Sequence, residues 1–183
     1  MIRTPHPTLM TIAITLSLGL SACGYTNRTA LPEYVQTVHV RSVTNKIDLS
    51  ESISNDKAFQ TYRPGLDVEL RNALIERFVF DGHLRIANEN NANAIVEMDL
   101  LAFDRDPLRY NQDDSIQEFR INVKAAVRMR DVIKDEILWE TPAISGNAEY
   151  FTSGRLARTE DQVVAEALED LSRNIVERIL EEW

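Results

Sequence analysis

Thiol chemistry is nearly missing from this sequence, which has one cysteine, Cys23, in 183 residues. A lone cysteine forms no intrachain disulfide and no multi-thiolate zinc site, so apolar packing must hold the fold. Histidine is almost as scarce. His6 lies just before the N-terminal apolar stretch, and His39 and His83 stand in unrelated segments; none makes a ligand pair or a triad with a motif-borne serine. Basic residues are outnumbered, 20 against 29 acidic, for a net charge of −9. That balance disfavours non-specific binding to nucleic acid or to anionic lipid surfaces, and no nucleic-acid partner is expected. The acidic residues Asp104, Asp106, Asp113 and Asp114 lack the spacing and glycine of an EF-hand and read as a solvated loop, so neither metal nor cofactor is expected. There is no internal repeat, no low-complexity block and no apolar run of the roughly 20 residues that span a bilayer.

What is present begins with "LMTIAITLSLGL" (9–20), preceded by Arg3 and followed by Leu20-Ser21-Ala22-Cys23. This is the h-region of a signal peptide running into a bacterial lipobox, in which the cysteine sulfur takes a diacylglyceryl group and a peptidase cuts before it. Residues 1–22 are therefore read as a lipoprotein signal peptide. Residues 23–33, polar and unpatterned, are read as a lipidated tether, and 34–183 as a single domain. The anchor is covalent lipid on Cys23, and each buried methylene contributes about 0.8 kcal/mol, so several chains hold firmly. Gly24, where inner-membrane lipoproteins often carry aspartate, points to the outer membrane and its periplasmic side.

Along the domain, "YVQTVHVRSV" (34–43) reads as a strand and 44–62 as a long connection. A helix is expected from Pro64, with Leu66, Leu70, Ala73, Leu74, Arg77 and Phe78 at helical spacing and a stop at Asp81-Gly82. Residues 93–103 alternate as a half-buried strand, and 104–115 read as a loop. "EFRINVKAAVRMR" (118–130) alternates most cleanly, with Phe119, Ile121, Val123, Ala125, Val127 and Met129 on one side. A strand over 137–151 carries an irregularity at Pro142. A Thr159/Gln162 capping box opens a last helix running almost to Trp183, with Val164, Leu168, Leu171, Ile175 and Ile179 on one face. The order β-α-β-β-β-α predicts an α+β two-layer sandwich: a four-stranded, mostly antiparallel mixed sheet with both helices on one face.

The segments "CGY" (23–25), "RPGLDVELRNALIERFVFDGHLRI" (63–86), "ANAIVEMDLLAF" (92–103), "EFRINVKAAVRMRD" (118–131), "ILWE" (137–140), "SGNAEYF" (145–151) and "EALEDLSRNIVERILEEW" (166–183), in this order, resemble the LptE family of lipopolysaccharide-assembly lipoproteins. The resemblance implies a non-enzymatic, lipid-anchored partner of the LptD β-barrel that contacts lipopolysaccharide on its way to the surface. It departs from the family in lacking glycine at the Lys134-Asp135 turn and in the length of the 44–62 connection. The alternatives are a structural lipoprotein of another envelope complex and, from a different class, a lipid-anchored hydrolase, for which no nucleophile and base stand at recognisable spacing.

Arg120, Lys124, Arg128 and Arg130 share one side of the 118–130 strand. They are candidates for contact with lipopolysaccharide or the barrel, since phosphorylated glycolipid is drawn to such a stripe. A hairpin closed over 104–117 would instead bring Glu97 and Asp99 opposite them as pairing partners.

Mass spectrometry of the mature product is expected to find residues 1–22 removed and Cys23 acylated. An uncut leader with a bare thiol contradicts the reading.

Overall fold

The computed structural model describes residues 31–47 and 63–181. The leader, Cys23 with most of the tether, the body of the 44–62 connection and Trp183 lie outside the described residues. The elements are β1 (Thr37–Val40), β2 (Thr44–Asn45), α1 (Leu66–Asp81), β3 (Arg85–Ile86), β4 (Ala94–Tyr110), β5 (Ile116–Asp131), β6 (Ile137–Phe151) and α2 (Glu160–Glu181). A 3-10 turn at Glu89–Asn91 precedes β4.

The class is α+β with two helices and a mixed sheet, but the sheet has six strands where four were expected. Its order is β3-β1-β4-β5-β6, with β2 added beside β4. β1 runs parallel to β3 and β4, while β4, β5 and β6 form an antiparallel meander. β2 and β3 are two residues each, too short to leave a period in the sequence. The expected 34–43 strand shrinks to Thr37–Val40 because the chain turns before it, Val35 N–H bonding the Pro32 carbonyl at 2.9 Å.

β4 corrects the expectation most. It continues through the supposed loop to Tyr110, in register with β5 down to Tyr110↔Ile116. The cause is a bulge at Leu101, between the pairs Leu100↔Ala125 and Ala102↔Lys124. Ala94, Val96, Met98 and Leu100 face the core before it, and Phe103 does so after it, so an alternation with period two loses its phase there. Pro107 is tolerated because this stretch of β4 has only β5 as a strand partner among the described residues. The irregularity expected at Pro142 is present: Ala126 faces two residues, Pro142 and Ala143, between Val127↔Thr141 and Ala125↔Ile144.

Both helices carry their expected stripes. Leu66, Leu70, Leu74 and Phe78 of α1 are buried, and α1 ends at Gly82, whose φ of 80° and N–H bond to the Phe78 carbonyl (3.1 Å) close a left-handed cap. α1 begins at Leu66 after Gly65, not at Pro64, which stands in the preceding turn. The capping box of α2 forms reciprocally, Thr159 N–H to Gln162 Oε1 at 3.2 Å and Gln162 N–H to Thr159 Oγ1 at 3.4 Å. Ten residues of α2 are buried, the five expected ones among them.

α2 packs on β6 and β5, and α1 packs against α2. The closest approach falls at Gly146, where a Cβ would stand 2.2 Å from the Leu171 backbone nitrogen and 2.4 Å from the Ala167 carbonyl oxygen. Two polar side chains of α2 also hold the free edge of β6. Asn147 N–H donates to Asp170 (3.0 Å), and Asn174 Nδ2 donates to the Ser145 carbonyl (3.0 Å). A covered edge resists pairing with other chains.

Gly146→Ala is expected to destabilise the fold by about 1–3 kcal/mol or more, because helix backbone must move to admit the methyl. Urea unfolding reads this as a lower midpoint; an unchanged midpoint would show that α2 does not rest on β6 at this residue.

Candidate functional site: the uncovered sheet face

With both helices on one side, the other side of β4–β5–β6 has no described element over it. The side chains there belong to the alternate positions of β5, so the four sequence-singled cations share this surface. Arg120 donates to Glu149 of β6 (Nε 3.0 Å) and stands in register with Asp106 of β4. Arg128 lies between Glu97 of β4 and Glu140 of β6, bonding the latter at 3.3 Å. Arg130 pairs with Asp135 of the β5–β6 turn at 2.6 Å. Lys124 is flanked by Ala102 and Ser145 and has no ion-pair partner among the described residues. It lines a polar groove with Trp139, Glu140, Ser145 and Asn174 that wraps the edge of β6.

Register therefore brings Glu97 opposite Arg128 as a closed hairpin requires, whereas Asp99 falls opposite Ala126. Neither carboxylate is spent on β5. Glu97 pairs with Arg41, which follows β1, and Asp99 pairs with Lys46 (2.7 Å), which follows β2. Arg41 also holds Glu89 (Nε 2.9 Å), and this hydrogen bond keeps the Glu89 carboxyl below its ordinary range. Glu89, Arg41, Glu97, Arg128 and Glu140 thus form a chain of alternating charge across five segments. A second groove, floored by Ala126, runs beside it.

Arg41, Glu140 and Glu149 went unmarked in the sequence because pairing across strands depends on register, and the bulge at Pro142-Ala143 shifts that of β6. Asp104 and Asp106 lie on β4, while Asp113 and Asp114 lie in the turn after it. His39 donates from Nδ1 to the Ala87 carbonyl and His83 from Nδ1 to the Asp81 carboxylate, on separate segments. The described residues contain no group of three or more potential metal ligands.

Two charged side chains are buried among the described residues, Glu118 near the start of β5 and, more completely, Asp131. Asp131, 0% exposed, ends β5 and accepts hydrogen bonds from the Tyr34 hydroxyl and from the Ile133 and Lys134 amides at 2.7 and 3.1 Å. Burial alone would raise its pKa, but the bonds from Tyr34 and the two amides outweigh it and hold the carboxyl below the usual range. The same bond raises the Tyr34 hydroxyl. This contact ties the first described residues to the β5–β6 turn.

The fold is that of an α+β two-layer sandwich with one bare, charge-paired sheet face. Residues 35–181 match the family model described as "LptE: Lipopolysaccharide-assembly". The chain belongs to the LptE family. Among curated proteins, none matches it in sequence. Solved structures with a TM-score of 0.50 share its fold at low identity. The hypothetical protein CT253 from Chlamydia trachomatis is 12% identical with a TM-score of 0.50, over 79% of this chain and 95% of that one. The PelC dodecamer from Paraburkholderia phytofirmans is 13% identical with a TM-score of 0.50, over 83% and 94%. Rare lipoprotein B from Shewanella oneidensis is 14% identical with a TM-score of 0.38, over 77% and 89%.

Because the folded pKa of Asp131 lies below its unfolded value near 3.9, its contribution is full at neutral pH and fades as pH falls below about 4. Asp131→Asn is expected to lower stability at pH 7, and the deficit to shrink progressively as pH falls below about 4. A deficit independent of pH would show that the charge is not what the turn uses.

Proposed function

We propose that this chain is an outer-membrane lipoprotein, anchored through Cys23 on the periplasmic side, that partners an LptD-type β-barrel and assists lipopolysaccharide assembly at the cell surface. It has no reaction of its own. The family match over residues 35–181 carries the reading. The bare sheet face supports it. A barrel lumen is lined by polar side chains, and a face of paired charges meets such a lining without burying an isolated charge.

Contact with a phosphorylated glycolipid asks Arg120, Arg128 or Arg130 to exchange a carboxylate for a phosphate. Lys124 has no carboxylate partner among the described residues to give up, so it takes an anion at the least cost. Exposed ion pairs contribute about 0–1 kcal/mol, which makes this face replaceable without unfolding the domain.

Depletion of the protein is expected to lower lipopolysaccharide at the cell surface. Normal surface levels with an intact barrel would contradict the proposal. In the same assay, Lys124→Glu is expected to reduce surface delivery while changing stability by less than about 1 kcal/mol; full delivery would remove Lys124 from the contact.

A further inference from the structure

The β5–β6 turn sits where the anchored end of the chain enters the fold. Asn93 stitches the two together, its side-chain oxygen accepting from the Thr37 amide (3.2 Å) and its carbonyl from the Val132 amide (2.9 Å). Tyr34 bonds Asp131, and the Lys134 ammonium lies 5.2 Å from the Tyr34 ring centre. Around this junction Tyr34, Val132, Ile133 and Ile137 are exposed, Ile133 at 69%.

Single exposed apolar residues need no explanation, but these four converge on one end of the sheet. The turn does not require them. Its shape is set by Asp131, which caps two amides, and by Asp135, which takes a positive φ of 55°. Nothing in that geometry calls for valine and isoleucine at the apex. Of the nearby carboxylates, Asp131 is buried and bonded and Asp135 is held by Arg130, while Glu136 is exposed on the strand side of the turn, away from the Val132-Ile133 apex in sequence.

We propose that the Val132-Ile133 turn dips into the bilayer beside the lipid anchor, as a second, non-covalent contact that orients the domain. The inference rests on acylation of Cys23. The chain length supplies the occupant: Cys23 and Leu31 are eight residues apart, a reach of at most about 29 Å, and three further residues lead to Tyr34 at the turn. β5 carries the opposite end of the sheet, with exposed Tyr110, about 50 Å away at roughly 3.3 Å per residue. The surface to which the acyl chains draw the protein is therefore the one nearest this turn. Tyr34 and Lys134 flank the apolar apex as amphipathic side chains do at a headgroup boundary, ring inward and ammonium toward phosphate.

The test uses the full lipidated chain in vesicles of phosphatidylethanolamine and phosphatidylglycerol. Acylation of Cys23 is first checked by mass spectrometry. Ile133→Cys then offers the only free thiol for an environment-sensitive nitrobenzoxadiazole label, with Tyr110→Cys as the distant control. The expected result is a blue-shifted emission at 133 and severalfold stronger quenching there than at 110 by spin-labelled lipid. An acylated protein whose label at 133 stays unquenched, or is blue-shifted but untouched by the lipid quencher because protein covers it, overturns the inference alone. Equal quenching at both positions also overturns it. A bare Cys23 overturns the anchor reading beneath it.

Discussion

The seating of α2 on β6 is the contact on which the rest of the structure depends. At Gly146 the helix backbone lies against the strand with no side chain between them, and ten buried residues of α2 fill the space on either side. That closeness fixes the helical layer on one face of the sheet. It also places Asp170 and Asn174 over the free backbone groups of β6, so one set of residues builds the core and closes an edge. With no disulfide available, packing of this kind is the source of stability.

The consequence is a molecule with two different sides. One layer is apolar inside and helical outside. The bare side of β4–β5–β6 carries ion pairs that bridge neighbouring strands, Arg128 to Glu140 and Arg120 to Glu149 being the clearest cases. Such pairs add little stability where water screens them, but they keep a broad sheet face soluble and free of apolar patches. A surface that is neutralised locally while the chain is acidic overall suits a polar host cavity better than a hydrophobic partner.

What was legible in the sequence follows the length of each periodic signal. α2 repeats its apolar stripe over 22 residues and β5 alternates over 16, so both declared themselves. β4 carries as many residues, but the bulge at Leu101 breaks its phase and the aspartates beyond it resemble a loop. β2 and β3 pair over two residues each and exist only because longer strands hold them. The four cations of β5 were visible as a stripe. Their partners were not, because Glu140 and Glu149 reach them only through a register that the Pro142-Ala143 bulge resets. Gly146 was equally silent, since a glycine in a strand shows its purpose only when the helix above it is known.

Site-specific photo-crosslinking in cells tests the account's central claim most directly. A crosslinker replacing Asn122, in the middle of the bare face, is expected to capture an LptD-type barrel. A crosslinker replacing Glu76, in the groove between the helices, is expected to capture it far less. Capture only from the helical side, or capture from position 122 of a different envelope barrel, would contradict the assignment of this face to its partner.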